Sequence, residues 1–326
     1  MRTIAIEEHF LADGYREAMD RAASGGGGGM NTGSITSVQA KLRDLGEQRL
    51  RDMDAGGIDL QVISQTTLNV QSLAPGEDVP LAQAANDQLA AAIAAHPTRF
   101  AGFATLPMTN PSAAVAELRR AIRLPGFRGA MVNNTTGGRF LDDPTFLPVL
   151  EEIVALDVPL YIHPAEPPAA VREAYFSGLN PALATALATG GWGWHQEVGL
   201  HALRLIASGI FDRLPTLQIV IGHMGEMLPF MLARSTGVLA QHTRHLKHTL
   251  PEYITQNFHI TTSAFFTEPP FLQALQLIGA DRLIFSVDYP YSSNEQGRTF
   301  LDSLAINPTD KEKICHLNAE RLLKLG

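Results

Sequence analysis

Three polar residues stand in a row at Glu7, Glu8 and His9, directly after an apolar run that begins a few residues into the chain. Comparable groups close three later apolar runs: His163 in PLYIHP, His223 in QIVIGH and Asp288 in LIFSVD. Carboxylates and neutral imidazoles are the donors that suit a divalent transition ion such as Zn2+ or Mn2+, and no thiolate accompanies them. On an extended segment alternate side chains share a face, so Glu7 and His9 point one way and Glu8 the other. Glu7 and His9 are therefore natural co-ligands, whereas Glu8 is expected to be solvated or to face a helix. A single histidine at a strand end is ordinarily a satisfied hydrogen-bonding residue. Several such ends meeting around two buried carboxylates are different, because those charges need a cation or a proton to hold them together.

Whether they meet depends on the elements that carry them. Eight short runs rich in β-branched and apolar residues recur: TIAIEE (3–8), LQVISQ (60–65), FAGFATLP (100–107), GAMVNN (129–134), PLYIHP (159–164), QIVIGH (218–223), FHITTS (258–263) and LIFSVD (283–288). Between them lie stretches with helical periodicity, such as SVQAKLRDLGEQRLRDMDAGG, where Gly56 and Gly57 supply the stop. Strands that are nearly continuously apolar and alternate with helices predict a (β/α)8 TIM barrel, one domain over residues 1–326. In a barrel the C-terminal strand ends share one mouth, so residues far apart in sequence converge there. Three stretches fall outside the alternation: residues 10–37, 135–142 and 165–194. The first contains the glycine run 25–29, which reads as a loop, either a surface excursion or a lid. His242, His245 and His248 in QHTRHLKHTL follow a helical spacing and read as a polar, solvated helix face.

Composition narrows the partners. With 326 residues, 45% hydrophobic and 18% charged, the chain buries a large core. The net charge of −8 is spread without a basic stripe, so neither nucleic acid nor an anionic membrane is an expected partner. A lone cysteine, Cys315, allows no intramolecular disulfide. No apolar run approaches the ~20 residues of a membrane-spanning helix and no signal-peptide pattern opens the sequence, so the expected location is the cytoplasm.

The same residues carry a resemblance. EEHF at 7–10, YIHP at 161–164, HALRLIASGIFDRLP at 201–215, IGHMGEMLPFMLAR at 221–234, NFHITTS at 257–263 and GADRLIFSVDYP at 279–290 are similar to the amidohydrolase superfamily. The likeness is to its amidohydrolase-2 branch, which includes the γ-resorcylate and 2,3-dihydroxybenzoate decarboxylases. It implies Glu7, His9, His163 and Asp288 as ligands of one divalent ion, Zn2+ or Mn2+, with His223 and Glu226 as a nearby catalytic pair. It further implies Arg234, Asn133 and Trp194 as substrate contacts, and assembly as a homodimer or homotetramer. Trp194 stands where a smaller aromatic is usual in that branch.

The implied reaction is nonoxidative decarboxylation of an ortho-hydroxybenzoate, a small aromatic acid. Protonating the ring carbon that bears the carboxylate makes the ring the electron sink, so the tools are a Lewis acid that fixes the substrate and a proton donor. Asp288 is the first candidate for the donor; crowding by other anions is expected to raise its pKa, against the pull of the metal. His223, oriented by Glu226, would assist. Two other readings stay open: a metal-dependent hydrolase of a lactone, amide or ring C–C bond in which Asp288 is the general base, and a noncatalytic barrel that binds an aromatic acid or a partner protein.

Overall fold

The computed structural model describes residues 1–18, 36–67, 71, 73 and 76–325; the glycine run Gly25–Gly29 lies outside the described residues. Eight strands form one sheet in sequence order, each parallel to the next: β1 Ile4–Phe10, β2 Leu60–Gln65, β3 Phe100–Thr105, β4 Phe127–Asn133, β5 Leu160–His163, β6 Ile219–Ile221, β7 Phe258–Thr261 and β8 Leu283–Ile284. With helices between them, this is the TIM barrel that the alternation predicts. Ile4, Ile6, Val62, Phe103, Tyr161 and Val220 fill the inside. Alternate residues such as Ala5, Ile63, Ala104 and Ile162 pack outward among the helices. Burial on both faces explains why the strands read as continuous apolar runs.

One irregularity in β1 sets up the site. Ala5 pairs with Gln61 but Glu8 pairs with Ile63, so β1 carries one extra residue there. Such a bulge shifts the alternation by one position. Ile4 and Ile6 face the inner core before it, and Glu7 and His9 face inward beyond it. The two amides of the bulge share one acceptor: Ile6 N and Glu7 N donate to Ser286 Oγ at 2.9 and 2.7 Å.

β8 is shorter than its sequence run. It ends at Ile284, so Asp288 follows the strand by four residues instead of closing it. Among the described residues no backbone ladder joins β8 to β1, and side chains together with one main-chain bond seal that seam. Beside the Ser286 hydroxyl, the Glu8 carboxylate accepts from Val287 N and Tyr289 N, each at 2.9 Å. His9 N donates to the Tyr289 carbonyl oxygen at 2.7 Å. The expectation of a solvated Glu8 is therefore corrected: it is 0% exposed and brackets Asp288 from both sides. Burial pushes its carboxyl up to about 8, against the pull of those two amides.

One stretch outside the alternation takes shape, and one further expectation changes. Residues 165–194 hold two helices, Ala169–Phe176 and Pro181–Ala188, the second started by Asn180, whose side chain accepts from Ala182 N at 3.0 Å. His242, His245 and His248 are exposed but lie in turns. The helix before them stops at Leu239, and a new one starts at Leu250 behind a Thr249–Glu252 capping box. Among the described residues no helix is long and apolar enough to cross a membrane.

Candidate metal centre

At the C-terminal mouth Glu7, His9, His163 and Asp288 come together, with one donor atom from each lying within 4.8 Å of the others. His9 Nε2 is 3.1 Å from Asp288 Oδ1, and His163 Nε2 is 3.4 Å from Glu7 Oε1. The far sides of these groups are anchored. Glu7 Oε2 accepts from the hydroxyls of Tyr161 and Ser263, and from Thr261 at 2.9 Å. Nδ1 of His163 donates to the Pro164 carbonyl oxygen at 2.8 Å, and Nδ1 of His9 meets Ser64 Oγ at 3.2 Å. The near sides are not: Glu7 Oε1 and His9 Nε2 are buried without a hydrogen-bond partner. Anchoring one atom and leaving its twin free is how a protein orients a ligand toward an ion.

Electrostatics agree with that reading of the donors. Burial raises the Glu7 carboxyl, with the charge of Asp288 adding and His223 and His9 opposing. Burial, reinforced by His9 and His223, lowers His163 to about 3, which keeps its Nε2 lone pair available. Two carboxylates and two imidazoles, with orphaned atoms on one side, fit a divalent ion. Close packing supports the cluster from below, since a Cβ on Gly222 would sit 2.7 Å from Glu7 Oε1.

His223 and Glu226 lie on the turn that follows β6. His223 Nδ1 donates to Glu226 Oε1 at 2.6 Å, while its Nε2 lies 3.8 Å from both Glu7 Oε1 and Asp288 Oδ2. Burial opposes charge on His223, but Glu226 and Glu7 outweigh it and hold the imidazole well above its ordinary value. Asp288 goes the other way from the expectation that crowding raises it. Burial does push it up, yet the imidazoles of His223 and His9 beside it hold it below the ordinary carboxylate range. The crowding acts on Glu7 instead.

The three implied substrate contacts are placed differently. Asn133 ends β4 in register with His163, and its Oδ1 is buried without a partner. Trp194 faces His163 with ring centroids 6.5 Å apart, and its buried Nε1 also lacks a partner. Arg234 is exposed on the helix Leu228–Leu239 that follows the Glu226 turn. Sequence reading missed several neighbours. Tyr161 shares a strand face with His163, and Thr261 with Ser263, so strand alternation carried a signal for them. Phe265 (6.1 Å from the His223 ring), Tyr291 (5.8 Å from the His9 ring) and His195, bonded to Glu226, carried none.

Known proteins share this architecture. The chain is similar to the decarboxylase orsB of Emericella nidulans, 36% identical over 99% of this chain and 97% of the relative. A γ-resorcylate decarboxylase of Polaromonas is 34% identical over 99% of this chain and 98% of its own. Among solved structures, 5-carboxyvanillate decarboxylase of Novosphingobium aromaticivorans, complexed with manganese and 4-hydroxy-3-methoxy-5-nitrobenzoic acid, superposes with a TM-score of 0.91 at 35% identity, covering 99% of this chain and 96% of that one. A Polaromonas dihydroxybenzoic acid decarboxylase with bound manganese and 2-nitroresorcinol gives 0.89 at 34% identity, covering 99% and 97%. The amidohydrolase family model matches residues 37–325, and the chain belongs to that family.

Proposed function

We propose that this protein is a metal-dependent, nonoxidative decarboxylase of a hydroxylated aromatic carboxylic acid. The observation that carries the reading is the pair of orphaned donors, Glu7 Oε1 and His9 Nε2, converging with His163 and Asp288 at the barrel mouth. We assign Glu7, His9, His163 and Asp288 as the ligands of one divalent ion, zinc or manganese; the manganese in the two related decarboxylase structures favours manganese. Bound there, such an ion supplies Lewis-acid stabilisation of the substrate's anionic oxygens.

The chain's own residues supply the rest. Asn133 Oδ1 is free to accept from a ring hydroxyl, and Trp194 Nε1 is free to donate to a polar substituent. Arg234, exposed and without a bond to a described residue, offers a guanidinium to the substrate carboxylate. Asp288 delivers the proton to the ring carbon: a C–H bond forms there, the C–C bond to the carboxylate breaks, CO2 leaves, and that bond's electron pair restores the ring. His223, whose imidazole Glu226 and Glu7 hold well above its ordinary value, stands 3.8 Å from Asp288 Oδ2 and supplies the proton that Asp288 delivers, and solvent then reprotonates the imidazole.

The relatives named above are decarboxylases, which does not favour the hydrolase alternative. We place the enzyme in the cytoplasm as a homodimer or homotetramer; Phe230, Met231 and Val238, exposed on the helix that carries Arg234, favour association. Elemental analysis of the purified protein, combined with a panel of hydroxybenzoates read for CO2, tests the reading. CO2 release with about one ion per chain supports it; oxygen-18 from water appearing in product would return the hydrolase.

A further inference from the structure

His195 has no role in the chemistry described so far, yet it is bonded to Glu226 as closely as His223 is. The helix Gly193–Ala207 lays one face on the turn after β6. Gly199 comes so close that a Cβ there would sit 2.6 Å from the Glu226 carbonyl oxygen. One helical turn earlier His195 reaches the carboxylate of the same residue, with Nδ1 donating to Oε2 at 2.6 Å. Its other ring nitrogen, Nε2, meets the Gly190 carbonyl oxygen at 3.0 Å. The ring also stands edge-on to Phe265 and to His223, with centroids 5.3 and 5.2 Å away. One fully buried carboxylate is thus divided between two imidazoles, one per oxygen. Burial pushes that carboxyl up, and the two imidazoles outweigh it to hold Glu226 at about 2.

The turn needs such an anchor. His223, Met224, Glu226 and Met227 have φ of 47, 55, 52 and 65°, all in the left-handed region. That conformation is costly for a residue with a side chain and persists only where the surroundings over-determine it. A carboxylate held through one oxygen can also swing about its terminal torsion, whose minimum is broad. Held through both, it presents a fixed Oε1 to His223.

We propose that His195 is a positioning residue: by holding Oε2 of Glu226 it fixes the carboxylate plane, and with it the His223 ring that faces Asp288. The proposal deepens the decarboxylase reading and rests on it. Two variants separate positioning from packing. His195→Phe keeps ring volume and removes both donors. His195→Asn places an amide N–H where Nδ1–H stood and restores the bond to Oε2 alone. The expected result is a loss of about tenfold or more in kcat for His195→Phe with KM within about twofold of wild type, and recovery of most of that kcat in His195→Asn. Crystal structures of the manganese-loaded proteins should show the Glu226 carboxylate turned from His223 in the first variant and in place in the second. Wild-type kcat in His195→Phe with Glu226 unmoved overturns the proposal, as do equal kcat losses in both variants that track a fall in Tm. If the wild-type protein releases no CO2, the decarboxylase reading fails, while the crystal comparison still decides the position of Glu226.

Discussion

Two groups of buried acid and imidazole side chains sit side by side at the barrel mouth, and they are finished to different degrees. In the His195–Glu226–His223 group every carboxylate oxygen has an imidazole partner at 2.6 Å. In the Glu7–His9–His163–Asp288 group the outer atoms are bonded while Glu7 Oε1 and His9 Nε2 have no hydrogen-bond partner. A buried polar atom left unpaired costs about 1–3 kcal/mol, more if charged, so a stable protein leaves it so only where something else completes it. The contrast divides the work in the proposed reading: the satisfied group orients, and the unsatisfied group binds.

The largest expected effect falls on Asp288, which belongs to the unsatisfied group and faces the satisfied one. Asp288→Asn should lower kcat by about 10³-fold or more while leaving Tm within a few degrees, because it removes the proposed proton donor and keeps the shape. Wild-type turnover in that variant would dismiss the assignment. Next comes Glu7→Gln, which replaces a charged donor by a neutral one. Metal content after dialysis should fall sharply, with affinity down by more than the ~10–100-fold typical of supporting residues. Unchanged stoichiometry by elemental analysis would remove Glu7 from the ligand set. Tyr161→Phe sharpens the comparison, since it takes away one of three hydroxyls on Glu7 Oε2 and should cost about tenfold in metal affinity.

Much of this geometry was legible in the chain. Eight apolar runs gave the strand count, because strands buried on both faces have no polar alternation to hide them. Strand ends gave Glu7, His9, His163 and His223, because a barrel sends them to one mouth regardless of separation. What sequence did not disclose depends on distant partners. The bulge that turns Glu7 and His9 inward is completed by Ser286, 280 residues from Ile6. Glu8 reads as an outward charge by alternation, and its true acceptor role exists only because β8 stops at Ile284 and leaves Val287 N and Tyr289 N to be satisfied. His195 lies one position past Trp194 on a helix; nothing in its spacing announces a carboxylate 31 residues away. The histidines of QHTRHLKHTL show the converse, a helical spacing without a helix, because Thr249 and Glu252 start a new one instead.

The smallest expected effect concerns stability and a third kind of buried imidazole. His201 is 0% exposed, like Glu7, but both its nitrogens are used as in the satisfied group: Nε2 accepts from Leu141 N at 2.9 Å and Nδ1 meets Asn134 Oδ1 at 3.1 Å. Here the partners are neutral, and a ring that accepts a backbone N–H cannot take a proton without losing that bond. Burial, with Arg204 adding, lowers His201 to about 3. The unfolded chain, near 6.5, therefore binds the proton first. Stability is fully present above the unfolded value and is lost as pH falls from there toward the folded one, by at most about 1.4 kcal/mol per pH unit for this group. Tm should drop between about pH 7 and about pH 5, and drop less in His201→Gln, which has no proton to gain. An equal drop in both proteins would shift the acid sensitivity to other groups. It would also mean that neutral partners do not hold an imidazole uncharged here as firmly as Glu226 holds one charged.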